Sequence, residues 1–117
     1  MSFANSYLDY LNDMLQAVEK AEKFTSGMSY DEFAQDEKTI FAVIRALEIL
    51  GEASNKIPNS IQKEYQDIPW RDMKGMRNKL IHDYMGVNVH VVWETVKKDL
   101  PELKEFIQDL TKDLENS

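Results

Sequence analysis

The fold turns on one stretch, Asp36-Glu37-Lys38-Thr39-Ile40-Phe41-Ala42-Val43-Ile44-Arg45-Ala46-Leu47-Glu48-Ile49-Leu50-Gly51-Glu52-Ala53-Ser54-Asn55-Lys56. Asp36 suits an N-cap, because a short carboxylate can accept a hydrogen bond from a free N–H of the first turn. Ile57-Pro58 ends the run, since a residue before proline is pushed out of the α region. Between them Ile40, Phe41, Val43, Ile44, Leu47, Ile49, Leu50 and Ala53 cover most of a helical circumference, which predicts a central helix packed on several sides. The polar remainder, Arg45, Glu48 and Glu52, falls on one stripe. It reads either as an intrahelical ion-pair ladder or as a polar face that orients functional groups on a neighbouring helix.

Toward the N-terminus, Tyr7, Leu8, Leu11, Met14, Leu15, Val18 and Ala21 recur at steps of three and four, predicting an amphipathic helix from Phe3 to Phe24. Thr25-Ser26-Gly27 stops it, and Ser29-Tyr30-Asp31-Glu32 has the capping-box pattern of a short helix. Toward the C-terminus, Asn59 to Tyr65 reads as another short helix. Ile68-Pro69-Trp70 then turns into a helix that ends at Gly86, a residue suited to the left-handed C′ position. Asn88 is an N-cap candidate for the last helical stretch, where Val89, Trp93, Val96, Leu100, Leu103, Ile107, Leu110 and Leu114 form a seam. Pro101 must bend or break that seam, having no N–H for the carbonyl one turn back. No strand-like alternation or repeat interrupts the pattern. The expectation is an all-α, up-and-down helical bundle with a kinked C-terminal stretch, one domain over residues 1–117.

Composition narrows the function. The chain is 43% apolar and 30% charged, as in soluble globular proteins, and has no cysteine, so disulfides and thiolate metal sites are excluded. No basic-then-apolar leader is visible and no apolar run nears the ~20 residues of a membrane helix, so a cytoplasmic protein is expected, with no membrane partner. A net charge of −7 argues against a general nucleic-acid coat. Yet Arg71, Lys74, Arg77 and Lys79 cluster against Asp72 alone, which suggests a small site for a few phosphates.

That cluster runs into Arg77-Asn78-Lys79-Leu80-Ile81-His82-Asp83-Tyr84, a cation, an amide, an imidazole and a phenol in one short segment. On a straight helix Arg77 and Tyr84 share a face, whereas Arg77 and His82 diverge by about 140°. Asn78 and His82, four apart, share a face. Either the arginine folds round, or a second copy of the helix completes the site across a two-fold axis, which predicts a homodimer with a shared cleft. The first and central helices are the expected seam, their apolar faces exceeding what one small core requires. The last turn of the helix and Asp83 both favour a protonated His82 able to donate a proton, while Arg77 would hold a phosphate bidentately. The plainer reading is a capping histidine beside a surface arginine. Tyr84 is likewise either a packing residue after Met73 and Leu80 or a member of the site. His90 starts the last helix as a solvated residue, and no metal site or cofactor is assigned.

The spacing R-x4-H-x-Y resembles the motif of the HEPN superfamily (higher eukaryotes and prokaryotes nucleotide-binding domains), most closely the HepT toxin family. Arg45 to Ala53, Ile68-Pro69-Trp70, Val92-Trp93-Glu94 and Asp99-Leu100-Pro101-Glu102-Leu103 extend the similarity over residues 36 to 110. The resemblance implies the toxin of a toxin–antitoxin pair, a metal-independent endoribonuclease with Arg77 and His82 catalytic and Asn78, Lys79 and Tyr84 supporting. Arg45, Glu48 and Glu52 are then candidates to orient them. The matching reaction is attack of RNA's own 2′-hydroxyl on the adjacent phosphate, which spares DNA. It also implies a cognate minimal nucleotidyltransferase as antitoxin, with Tyr84 the acceptor of AMP. A non-catalytic module that binds a nucleotide or partner in the same cleft is the alternative.

Overall fold

The computed structural model describes residues 3–75 and 88–116, with side chains from residue 7 onward. In chain order the helices are α1 (Phe3–Thr25), α2 (Tyr30–Gln35), α3 (Glu37–Asn55), α4 (Asn59–Glu64), α5 (described over 70–75), α6 (Val89–Glu94) and α7 (Leu100–Glu115). A π-helical turn, Thr95–Asp99, joins the last two. Among the described residues there is no strand, and no helix is long and apolar enough to cross a membrane. The protein is an all-α bundle.

Helix α3 is the element around which the others gather; α1, α2 and α6 all pack on it, and α7 packs on α1. Its start follows from Asp36, whose carboxylate accepts the Thr39 N–H at 3.0 Å and the Thr39 hydroxyl at 2.8 Å. Just upstream the capping box is complete: Ser29 Oγ accepts the Glu32 N–H and Glu32 Oε1 accepts the Ser29 N–H. Gly27 adopts a φ of 77°, the left-handed conformation that lets the chain leave α1.

The core is a continuous apolar cluster. Leu11, Met14 and Val18 of α1, Phe33 of α2, Val43, Leu47 and Leu50 of α3, and Val96, Leu100, Ile107 and Leu110 of the C-terminal stretch are all buried. Periodicity overstated one part of α3: Phe41 is 44% exposed, while Ala46, Gly51 and Ser54 are buried. Small residues therefore share the buried face of α3 with Val43, Ile44, Leu47 and Leu50.

Pro101 interrupts the last stretch by widening it. The Leu100 N–H reaches back five residues to the Thr95 carbonyl, and α7 restarts with Pro101 in its first turn, where a missing N–H costs least. The wide turn also places Lys97, whose Nζ donates to the Thr25 carbonyl at 3.2 Å and lies 4.8 Å from the Trp93 ring. A cation on the last carbonyls of α1 is favoured by the helix dipole. Lys104 adds a second tie across the α1–α7 contact, 3.5 Å from Glu22.

Candidate active site

The motif residues Arg77, Asn78, Lys79, His82 and Tyr84 lie outside the described residues, as does the expected helix end at Gly86. What is described is the frame that leads into and out of this segment. On the upstream side, Pro69 leads α5 and its carbonyl accepts the Met73 N–H at 3.1 Å. The Trp70 indole N–H donates to the Tyr65 carbonyl at 3.0 Å, and Ile68 and Met73 are buried, so the first turn of α5 is fixed by both polar and apolar contacts. On the downstream side, Asn88 Oδ1 accepts from the N–H groups of His90 and Val91, capping α6 as its sequence position suggests.

Both flanks border one groove of about 780 Å³. Arg71, Asp72 and Gly75 of α5 lie on one side and Val91, Thr95 and Asp99 on the other, above an apolar floor that includes Leu50, Met73 and Leu103. Volumes of this order accommodate small ligands or a few residues of a polymer. The described residues before and after the Arg77–Tyr84 segment therefore border the same concave surface.

On α3, the polar stripe forms the ladder that its spacing allows. Arg45 Nη1 lies 3.4 Å from Glu48 Oε2 and 3.8 Å from Glu52 Oε1, with the arginine side chain 60% exposed and that of Glu48 19%. An exposed pair of this kind contributes little to stability, and it sets one guanidinium beside two carboxylates that are one turn apart.

His90 is exposed in the first turn of α6, as expected of a solvated residue at a helix start, and it also has partners. Its Nε2 is 3.4 Å from Glu94 Oε1, and its ring meets Tyr30 edge-on at 5.3 Å. Tyr30 and Phe33 both contact Trp93, so α2 and α6 are joined by an aromatic group. Glu94 also pairs with Lys98, whose ammonium holds this carboxyl below its ordinary range. Sequence reading missed this group, because Tyr30 and Trp93 lie on helices whose packing it did not assign.

An all-α bundle that carries an arginine, a histidine and a tyrosine at R-x4-H-x-Y spacing after its α5 entrance defines a HEPN-type domain. The chain belongs to the HepT-like family: the model described as "Ribonuclease HepT-like" matches residues 14–110. It is 52% identical over 107 residues, 92% of this chain and 97% of its relative, to a protein of Thermococcus cleftensis named probable ribonuclease HepT. It is 44% identical over 106 residues, 91% of each chain, to a protein of Methanocaldococcus jannaschii named as an RNase. A further M. jannaschii protein, named for both a gamma-glutamylcyclotransferase and an RNase, is 39% identical over 92% of this chain but only 49% of its own length. No solved structure matches the chain significantly.

Proposed function

We propose that the protein is an endoribonuclease that cleaves RNA without a metal ion, using Arg77 and His82 in a cleft shared by two copies of the chain. The observation that carries this reading is membership of the HepT-like family together with the R-x4-H-x-Y spacing in this sequence. The ribonuclease names of relatives that align over nearly their whole length support it.

In this reading the 2′-oxygen attacks phosphorus and the bond to the 5′-oxygen breaks, leaving a 2′,3′-cyclic phosphate and a 5′-hydroxyl. One His82 accepts the proton of the 2′-hydroxyl, and the partner's His82 donates a proton to the departing 5′-oxygen. Arg77 pairs with the non-bridging oxygens and stabilises charge gathering there. Asn78, four residues before His82, orients the imidazole, and Lys79 adds positive charge. Arg45, Glu48 and Glu52 would position the catalytic groups from α3, the ladder keeping both carboxylates on one line.

The same reading makes the protein the toxin of a two-component system in the cytoplasm. Its antitoxin is a minimal nucleotidyltransferase that adds AMP to Tyr84, placing a bulky anion against Arg77 and His82 and closing the site to RNA phosphates. Substrates with one 2′-deoxy position test the chemistry. An RNA oligonucleotide cut at a single bond should resist cleavage when the nucleotide 5′ to that bond lacks its 2′-hydroxyl. Continued cleavage there would require an external nucleophile and would exclude the mechanism.

A further inference from the structure

The turn from α4 into α5 carries a surface unlike the rest of this acidic chain. Two clefts, of about 450 and 300 Å³, are both bordered by Asn59, Gln62, Trp70 and Arg71, so they form one continuous concave strip. Lys63 and Lys74 complete its positive lining, and Asp72 is the only carboxylate among the described residues that border it. Lys63, Arg71 and Lys74 are exposed, and none of them forms an ion pair with a described residue. Three cations on one strip with no ion pair among the described residues stand out in a chain of net charge −7.

The remaining lining is also selective. Asn55, Asn59 and Gln66 are exposed amides, which donate and accept hydrogen bonds without adding charge. Trp70 stands between the clefts, half-buried against the core, with its indole N–H already committed to the Tyr65 carbonyl. What the ring offers outward is apolar surface held in a fixed orientation. Charge is segregated across α4: the cleft on its other side is bordered by Glu64, Asp67, Asp109 and Asp113 against Lys63. The Tyr65 hydroxyl there has its pKa raised by burial and by the charge of Asp113. The cations thus lie mainly along the strip and the carboxylates mainly along the neighbouring cleft, with Lys63 bordering both.

We propose that the α4–α5 strip is a binding surface for single-stranded RNA, in which Lys63, Arg71 and Lys74 hold successive phosphates and Trp70 packs against a base. It deepens the ribonuclease reading and rests on it for the identity of the polymer. Cations that follow a backbone beside a fixed aromatic ring are the means by which proteins hold single strands without reading their sequence. Part of the strip lies on α5, and Lys74 is three residues before Arg77 in sequence. It would thus hold RNA flanking the cleaved bond.

The test uses full-length His82→Ala protein, so that RNA survives, and a fluorescein-labelled single-stranded RNA of about 16 nucleotides, an upper site size for small binding folds. Affinity is measured across a salt series for this parent and for a version that also carries Lys63→Gln, Arg71→Gln and Lys74→Gln. All three positions are exposed, and a thermal melt verifies that the fold is kept. The parent should bind with a marked salt dependence. The triple substitution should weaken binding at least tenfold near 0.1 M salt and reduce the log–log slope by about 2, since each phosphate of a single strand that is no longer neutralised lowers it by roughly 0.7. Trp70→Leu should weaken binding further without changing the slope.

Equal binding by parent and triple variant would overturn the strip while leaving the ribonuclease reading intact. No binding by the parent would overturn the strip as well. Unchanged RNA binding together with loss of association with a co-expressed nucleotidyltransferase would replace RNA by a protein partner. Strip-dependent binding by a wild-type protein that cuts no RNA would sustain the strip and defeat the ribonuclease reading.

Discussion

At the scale of single residues, function in this reading rests on His82 and Arg77, and the effects of replacing them should differ in kind. His82→Ala removes proton transfer and should lower the cleavage rate about 10²- to 10⁴-fold with RNA binding retained. A binding module would tolerate that change. Arg77→Lys preserves charge but not the planar fork, so it should behave like a loss rather than a conservative exchange, as measured by single-turnover cleavage. In the core, Leu47 is buried on the face of α3 turned to its neighbours. Leu47→Ala should cost about 2–5 kcal/mol in denaturant unfolding, through reduced burial and the cavity left behind. Which single residues matter was partly legible in the sequence: Asp36, Ser29 and Asn88 are short polar side chains at helix starts, and each caps as its position suggests. Phe41 belongs to the apolar set of α3 yet stays 44% exposed, because hydrophobicity marks what can be buried and not what is.

Among elements, the caps carry a pH dependence. Hydrogen bonds from the Thr39 N–H and hydroxyl hold the Asp36 carboxyl below its ordinary range, and those from Ser29 do the same for Glu32. Folded values below unfolded ones mean that the stabilisation is complete above the unfolded carboxylate pKa of about 4. It is lost as pH falls through the lowered folded values. Asp36→Asn keeps an N-cap acceptor but cannot titrate. Its melting temperature should therefore fall less than that of the wild type between pH 6 and pH 3. The π-helical turn shows the limit of reading elements from sequence. Pro101 announces an interruption, but whether a helix kinks, breaks or widens depends on where its carbonyls find donors. Here Thr95 and Leu100 supply that pairing. The Tyr30–His90–Trp93 group joins residues far apart in the chain, and the α4–α5 strip joins successive elements across a turn; periodicity along one helix reveals neither.

For the whole molecule, an all-α bundle was legible because the apolar spacing of α1, α3 and the C-terminal stretch allows little else. For the proposed site the sequence offers residue types in order, Arg77, His82 and Tyr84, which lie outside the described residues, and the expectation that one straight helix does not bring Arg77 and His82 together unaided. That expected gap is the reason a two-fold assembly enters the proposed mechanism, the alternative being an arginine that folds round to the histidine. Light scattering of the purified protein should return twice the mass of one chain at concentrations where cleavage is seen. An active monomer would contradict the shared cleft. The central claim is tested most directly by incubating purified wild-type protein, Arg77→Ala and His82→Ala with total cellular RNA in excess chelator and analysing the ends produced. Cleavage by the wild type alone, leaving 2′,3′-cyclic phosphate and 5′-hydroxyl ends, is the predicted result. Absence of cleavage by a folded protein whose Tyr84 has its unmodified mass, or equal cleavage by the His82 variant, would contradict the account.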